Sequence, residues 1–327
     1  MNRLNREKAI IVPPGVESER LDRYLTALSE LELSRSQIQR LIDDGLVLVD
    51  GQAETKNHRL RGGEKIVITI PPPEEPNVAP ENIPLNIVYE DEYLAVIDKP
   101  YGLVVHPAPG NPEHTLVNAL LYHLKQVAPD ETGLRPGIIH RLDKNTSGLL
   151  MVAKDEVTAR KLREQLAARE VTKIYRAVVC GHMPEAEGTI DLPVGRSLRD
   201  RTKMTVTKLH SREAITRYTV ITSYRLLELV DVQLVTGRTH QIRVHFTHLN
   251  HPVFGDPEYG GRLRWLRGID PARRNEARKL LDLIDRQALH ARSLTFVHPA
   301  TGREMTFTSE LPDDMKRLVD YLDATEK

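Results

Sequence analysis

The sequence predicts an α+β protein in which a small αβ unit precedes a larger body built on a mainly antiparallel, mixed sheet. Two helical patterns and two short apolar runs occupy the first 70 residues, and a proline-rich segment follows them. Beyond that segment, apolar runs of strand length outnumber the helical patterns. The length of 327 residues suits two domains of roughly 100–200 residues each.

The small unit is predicted to begin with two helices. In the first, apolar residues recur at i, i+3, i+4 and i+7, which is the pattern of an amphipathic helix. These residues are Leu21, Tyr24, Leu25 and Leu28. The second helix is predicted to start at Ser34, with Gln37 as its capping-box partner, and to stop at Gly45. Its predicted buried stripe consists of Ile38, Leu41 and Ile42.

Two strands and a linker complete the predicted small unit. The run Leu46–Val49 leads into Asp50-Gly51, a hairpin-turn signal, and Lys65–Ile70 predicts a closing strand. Prolines fix φ and lack the amide donor, so the segment from Pro71 to Pro84 favours an extended linker. We therefore expect an N-terminal extension (1–17), the small unit (18–72), the linker (73–86) and the body (87–327).

The body is predicted to consist mainly of strands. Apolar runs at 87–89 and 93–97 are separated by Glu90-Asp-Glu, which predicts a hairpin. Further strands are predicted at Leu149–Ala153, Lys173–Cys180, 216–223, 226–235 and 293–296. The segment Thr158–Glu170 has apolar residues on one face and is predicted to be a helix.

Composition limits the possible environments and partners. The formal net charge is +0, so any nucleic-acid contact must come from local patches. The segment from Arg196 to Arg217 contains seven basic and two acidic residues, and the segment from Arg262 to Arg286 contains eight basic and four acidic residues. The single cysteine, Cys180, indicates a reducing compartment and allows no disulfide within the chain. No apolar run reaches the roughly 18 residues that span a bilayer, so we expect a cytoplasmic protein.

Three segments carry candidate chemistry. The first, Ile139–Gly148, is a polar loop between apolar strands, and it contains Asp143. Judged by spacing alone, an Asp in such a loop more often accepts hydrogen bonds from the backbone amides of a turn. The second segment is Lys173–Ala177 and the third is Gly237–His245, with Pro252–Gly260 after it.

Taken together and in this order, these segments resemble the motifs of the RluA/RluD-type pseudouridine synthases, which isomerise uridine in RNA. The small unit resembles the S-four RNA-binding module. The resemblance implies an isomerase of large-subunit ribosomal RNA that needs no cofactor and no metal. The expected partner is RNA, with neither DNA nor a membrane, and the expected state is a monomer.

The resemblance also implies roles for four residues of the body. Asp143 is expected to be the nucleophile, because a carboxylate can act covalently at a glycosidic bond. Arg243 is expected to pair with it, which favours the ionised carboxylate when water is excluded. Tyr175 is expected to stack on the target base and to assist proton transfer. Arg141 is expected to fill the gap left by the flipped uridine.

Three further arginines are candidate phosphate contacts. Arg238 is expected either to hold a backbone phosphate or to lie solvated in its loop. Arg35 and Arg40, on the second helix of the small unit, are expected to contact RNA phosphates, although single surface arginines are often only solvated. Four histidines crowd one stretch, but the His-Glu-x-x-His pattern is absent, so we expect packing or RNA contact. They are His240, His245, His248 and His251.

Two other functions compete with isomerisation. A non-catalytic RNA-binding ribosome-assembly factor could keep the same fold, although the set of Asp143, Tyr175 and Arg243 argues against it. A hydrolytic nucleosidase could use the same nucleophile and would release free base.

Overall fold

The computed structural model describes residues 6–16, 18–28, 31, 33, 35–70, 78–108, 110–130 and 133–326. The chain divides into two compact units, Met1–Glu75 and Pro76–Lys327. The predicted helix start at Ser34 lies outside the described residues. The same holds for residues 1–5 and 17 of the predicted extension and for residues 73–77 of the predicted linker.

In the N-terminal unit two helices pack on a four-stranded antiparallel sheet with the order β1-β4-β2-β3. The strands are β1 (Arg6–Ile11), β2 (Val47–Val49), β3 (Gln52–Ala53) and β4 (Lys65–Ile70). The helices are α1 (Leu21–Ala27) and α2 (Arg35–Asp43). The predicted stripe of Ile38, Leu41 and Ile42 is buried in this core, which confirms the predicted orientation of α2.

The structure describes the predicted hairpin and part of the predicted N-terminal extension. Asp50 and Gly51, between β2 and β3, both have positive φ, as a type I′ turn requires. Residues 6–12 of the predicted extension join the sheet and core of the unit, because β1 pairs along its whole length with β4 and Val12 is buried. The sequence of β1 has three charged residues followed by three apolar ones, which is not the alternation that predicts an edge strand.

The body contains twelve strands in its described residues. In chain order they are β5 (Asn86–Glu90), β6 (Leu94–Lys99), β7 (Ser147–Ala153), β8 (Thr172–Cys180), β9 (Glu187–Asp191), β10 (Val194–Arg196), β11 (Met204–Val206), β12 (Ser211–Arg212), β13 (Ile215–Ser223), β14 (Leu227–Leu234), β15 (Leu289–Val297) and β16 (Glu304–Thr308). Nine of them form one sheet with the order β5-β6-β7-β15-β8-β14-β13-β9, in which β16 pairs with β15. Strands β10, β11 and β12 form a small separate sheet.

The large sheet confirms the predicted α+β class. Its ladders are antiparallel except for the pairing of β7 with β15, which is parallel. This pairing requires Gly148, where φ is +111° and an added Cβ would lie 2.3 Å from the carbonyl oxygen of Ala291. No side chain fits there, so the glycine lets the strand that leaves the polar loop approach β15 closely.

Helices pack beside this sheet. They are α3 (Leu116–His123), α4 (Glu156–Ala167), α5 (Gln241–His248), α6 (Leu263–Gly268), α7 (Arg274–Asp282) and α8 (Asp313–Glu326), with a 3₁₀ turn at Pro271–Arg273. The predicted start of α4 at Thr158 is two residues late, because Asp155 caps the helix by accepting from the Thr158 amide at 2.8 Å. In the described residues, no helix has both the length and the apolar character needed to cross a membrane.

Candidate active site

The polar loop between Ile139 and Gly148 brings Asp143 to the side of α5. Arg243 on that helix donates from Nη1 to Asp143 Oδ2 at 3.2 Å. The Asp143 side chain is 17% exposed and that of Arg243 is 5% exposed, so the ion pair lies at the boundary between solvent and core. The expected pairing of these two residues, which are 100 positions apart, is therefore present.

Arg243 is also bound by two other carboxylates. Its Nε and Nη2 donate to the fully buried Asp256 at 2.6 and 3.0 Å, and Nη2 donates to Glu258 at 2.6 Å. Burial alone would lower the pKa of Arg243, but the hydrogen bonds and charge of Asp256, with Asp143 and Glu258, raise it above its usual value. The two-pronged contact with Asp256 fixes the plane of the guanidinium. Because this contact uses Nε and Nη2, the Nη1 group is left to donate to Asp143.

The backbone after Asp143 is held by buried cations. Lys99, at the end of β6, donates to the carbonyl of Lys144 at 3.2 Å, and Arg286 donates to the carbonyl of Asn145 at 2.9 Å. Burial lowers the pKa of Lys99 to about 7, although the charge of Asp143 acts in the opposite direction. Arg286 is held in turn by a two-pronged ion pair with Asp314 on α8. The loop is thus attached to β6 and to α8 immediately after the residue that faces the cavity.

A cavity of about 280 Å³ opens above the ion pair. Asp143, Tyr175 and Arg243 all line it, and they come from the loop, β8 and α5. Tyr175 is 5% exposed, and burial followed by the charge of Asp143 raises the pKa of its hydroxyl above its usual range. The three residues that the sequence motifs select therefore share one cavity, which we call the uridine cavity after the substrate that the resemblance implies.

The other candidate residues have diverse environments. Arg141 is exposed and lines the uridine cavity. Arg238 also lines this cavity, and its Nε donates to the Glu213 carbonyl at 3.0 Å. Arg35 donates to the buried Asp22 at 3.1 Å, so it has a structural partner within the small unit. Arg40 is 76% exposed, with Asp44 at 3.7 Å.

Three of the four crowded histidines have hydrogen-bond partners, and one of them is His251, whose Nδ1 bonds the Cys180 carbonyl at 3.0 Å. His245 is buried between Thr216 Oγ1 and the Leu192 carbonyl, both at 2.9 Å, which is a packing role. His240 contacts the site: its Nε2 lies 3.9 Å from Asp143 Oδ1. Burial lowers the pKa of His240, although the charge of Asp143 opposes this. Among the described residues no group of three or more His, Cys, Asp or Glu could hold a metal ion.

Three site residues carried no role in the sequence prediction. Asp256 lies in the segment Pro252–Gly260, which the motif comparison includes without assigning a function to its carboxylate. Lys99 looked like an ordinary charged residue, and Arg286 was counted in the basic patch from Arg262, although it is 2% exposed. No local signal identifies either as buried, since Lys99 follows Asp98 and Arg286 lies between Asp285 and Gln287.

Comparisons with known proteins agree with this geometry. Residues 93–248 match the model of the RNA pseudouridylate synthase family, and residues 19–66 match that of the S4 domain. The chain is 43% identical over 306 residues to an uncharacterized RNA pseudouridine synthase, YlyB, of Bacillus subtilis (strain 168), covering 94% of this chain and 95% of that protein. The chain belongs to the RNA pseudouridine synthase family.

Two further similarities fit this assignment. The chain is 44% identical over 307 residues to ribosomal large subunit pseudouridine synthase D of Escherichia coli O6:H1, covering 94% of this chain and 91% of that protein. The solved structure of human RNA pseudouridylate synthase domain containing 1 has a TM-score of 0.53 and 25% identity, covering 76% of this chain and 98% of that one. This pseudouridine synthase is therefore an RNA-modifying isomerase with an N-terminal S4 domain, as the motifs predicted.

Proposed function

We propose that this pseudouridine synthase modifies uridines of large-subunit ribosomal RNA in the cytoplasm, as a monomer, and that Asp143 is its nucleophile. The relative from Escherichia coli, whose name specifies the ribosomal large subunit, supports this substrate. The observation that carries the proposed mechanism is the contact of Asp143 with the buried Arg243 inside the uridine cavity.

The residues of the uridine cavity suit the isomerisation. The reaction breaks the N-glycosidic bond, turns the base and joins a ring carbon to the sugar, so it needs no oxidant and no energy source. Asp143 attacks C1′ of the sugar as the bond between C1′ and N1 of the base breaks, and it holds the sugar covalently while the base turns. C5 of the base then bonds to C1′ as the carboxylate leaves, and the proton lost from C5 balances the proton that N1 takes up. Arg243 stabilises the carboxylate as nucleophile and again as leaving group, because it is oriented before substrate binds.

Tyr175 has a more limited role than its position alone would suggest. Its ring forms an apolar wall for the base, next to Leu234 and Leu289. Because its pKa is raised, the hydroxyl stays protonated at neutral pH. It therefore contributes stacking and hydrogen bonding, and it does not serve as a preformed phenolate base.

The arginines outside the ion pair are proposed to bind RNA. Arg141, exposed at the rim, is placed to fill the stack after the uridine leaves the helix, and Arg238 is placed to contact a phosphate. In residues 18–72, the proposed S4 RNA-binding domain, Arg40 has the exposure that a phosphate contact needs. Arg35 can reach a phosphate only while it also supports Asp22.

The test is the replacement Asp143→Asn, assayed on an unmodified large-subunit ribosomal RNA transcript. We expect no pseudouridine and an RNA affinity within about twofold of wild type, because the amide keeps the shape but lacks the nucleophilic charge. Asp282→Asn is the matched control, since Asp282 is exposed on α7, away from the uridine cavity.

Analysis of the products separates the competing functions. Free uracil would indicate a nucleosidase, and wild-type protein that binds the transcript without changing any uridine would indicate an assembly factor. Turnover by Asp143→Asn at a wild-type rate would remove Asp143 from its role. Light scattering at micromolar concentration tests the monomer.

A further inference from the structure

A second cavity adjoins the uridine cavity. It has a volume of about 690 Å³, within the range of nucleotide-sized pockets. Residues Ile139, His140 and Arg141 line both cavities, so the two meet along the segment that leads into Asp143. The charged and titratable residues that complete the lining of the second cavity are His106, Asp130, Arg135, Glu156 and Arg163. We call it the arginine cavity.

The described lining of the arginine cavity has an excess of positive charge. Three arginines line it, against the two carboxylates of Asp130 and Glu156. Asp130 accepts the backbone amide of Arg135 at 3.2 Å. Among the described residues, Arg135 and Arg163 have no carboxylate within 4.0 Å that forms an ion pair with them. Both side chains are exposed, so their guanidinium groups are available to an anion that enters.

A buried histidine in the wall gives independent evidence for a ligand. His106 is 6% exposed, and its Nδ1 has no hydrogen-bond partner among the described residues. A buried polar atom without a partner destabilises a protein, so such atoms are often found where a ligand supplies the partner. Burial, together with the charges of Arg135 and Arg141, lowers the pKa of His106 to about 4, and the neutral ring can donate one N–H.

We propose that the arginine cavity binds a phosphate of the substrate RNA close to the target uridine, with Arg135 and Arg163 as its cationic contacts and His106 as a neutral donor. Arginine forks match phosphate oxygens, and a wall shared with the uridine cavity places this phosphate within a short stretch of the same strand. The contact holds the strand while the uridine is turned out. This inference rests on the proposed function, since it takes RNA as the substrate.

The test compares two arginines on the same helix. Arg163→Gln removes a charge from the arginine cavity, whereas Arg160→Gln removes one that is 68% exposed, pairs with Glu164 at 3.9 Å and lies outside the cavity. With an unmodified large-subunit ribosomal RNA transcript, we expect Arg163→Gln to weaken binding and raise KM about tenfold, with kcat within about twofold. The slope of log affinity against log salt should fall by about 0.7–0.9, the value for one phosphate contact. Arg160→Gln should leave both unchanged.

A second variant separates binding from folding. His106→Phe keeps a ring and removes the nitrogen that lacks a partner, so we expect equal or higher thermal stability together with weaker RNA binding. Equal salt slopes for Arg163→Gln, Arg160→Gln and wild type would overturn the proposal. Tight binding of inorganic phosphate that Arg163→Gln abolishes, without any change in RNA affinity, would overturn RNA as the source of the phosphate. Because RNA binding is measured without turnover, a failure of the phosphate-site proposal can be distinguished from a failure of the enzyme to form pseudouridine.

Discussion

The two carboxylates behind Arg243 should differ sharply in their effect on catalysis. Asp256 is fully buried and accepts two hydrogen bonds from Arg243 and two from the backbone amides of Glu258 and Tyr259. Glu258 accepts one hydrogen bond from the same guanidinium, and its side chain is 52% exposed. We therefore compare Asp256→Asn with Glu258→Gln, since both replacements remove one charge and keep the size of the side chain.

The expected magnitudes follow from burial. Asp256→Asn turns an acceptor toward Arg243 into an amide NH₂, which cannot accept a hydrogen bond. A buried hydrogen bond to a charged group contributes about 1.5–3 kcal/mol, which corresponds to a fall in kcat of roughly 10- to 150-fold if the guanidinium loses its orientation. An exposed ion pair contributes about 0–1 kcal/mol, so Glu258→Gln should lower kcat by less than about fivefold.

The assay is single-turnover pseudouridine formation on the ribosomal transcript, at a temperature well below the unfolding midpoint of both variants. RNA affinity is measured in parallel and should change little, because Asp256 is shielded from the substrate by Arg243. Equal losses in the two variants, or wild-type activity of Asp256→Asn, would refute the claim that Asp256 positions the arginine.

Three further predictions concern stability and domain structure. Burial alone would raise the pKa of Asp22, but hydrogen bonds from Arg20, Gln39 and Arg35 lower it below its usual value. The ionised Asp22 should therefore stabilise the N-terminal unit above about pH 4, and this contribution should be lost as the pH falls further. Urea titrations at several pH values should show that the stability of Asp22→Asn depends less on acid pH than that of wild type. Gly148→Ala should lower the free energy of unfolding by about 2–4 kcal/mol in chemical denaturation, because the new methyl group meets the Ala291 backbone. Deletion of Met1–Glu75 should leave a cooperatively unfolding body with weaker RNA binding, whereas aggregation through an exposed core would contradict the proposed division.

The elements and the central contact of the site were accessible from the sequence. Periodic apolar patterns predicted the helices of the small unit and most strands of the sheet, because burial of one face dictates the residue spacing. The pairing of Asp143 with Arg243 followed from the resemblance to the family that the motifs carry. By contrast, the edge strand β1 has three charged residues followed by three apolar ones, so it shows neither the alternation nor the continuous apolar run that predicts a strand.

The supporting contacts of the site could not be predicted in the same way. Lys99 reaches Lys144 from 45 positions away, and Arg286 reaches Asn145 from 141 positions away. Tertiary packing selects such partners, and a charged residue beside a strand has no local pattern that identifies its acceptor. Arg35 shows the same limit for a residue that was assigned a role. Its position on a helix suggested an RNA contact, and the sequence did not indicate that it also donates to Asp22.

The long separation between Asn145 and Arg286 has a consequence for biosynthesis. The contacts of the loop that carries Asp143 are complete only when β15 has paired with β7 and Arg286 has joined Asp314, and Arg286 is translated 141 positions after Asn145. The sheet of the N-terminal unit, in contrast, closes with residues from the first 70 positions. A nascent chain can thus complete the sheet of its S4 domain well before the loop that carries Asp143 gains these contacts.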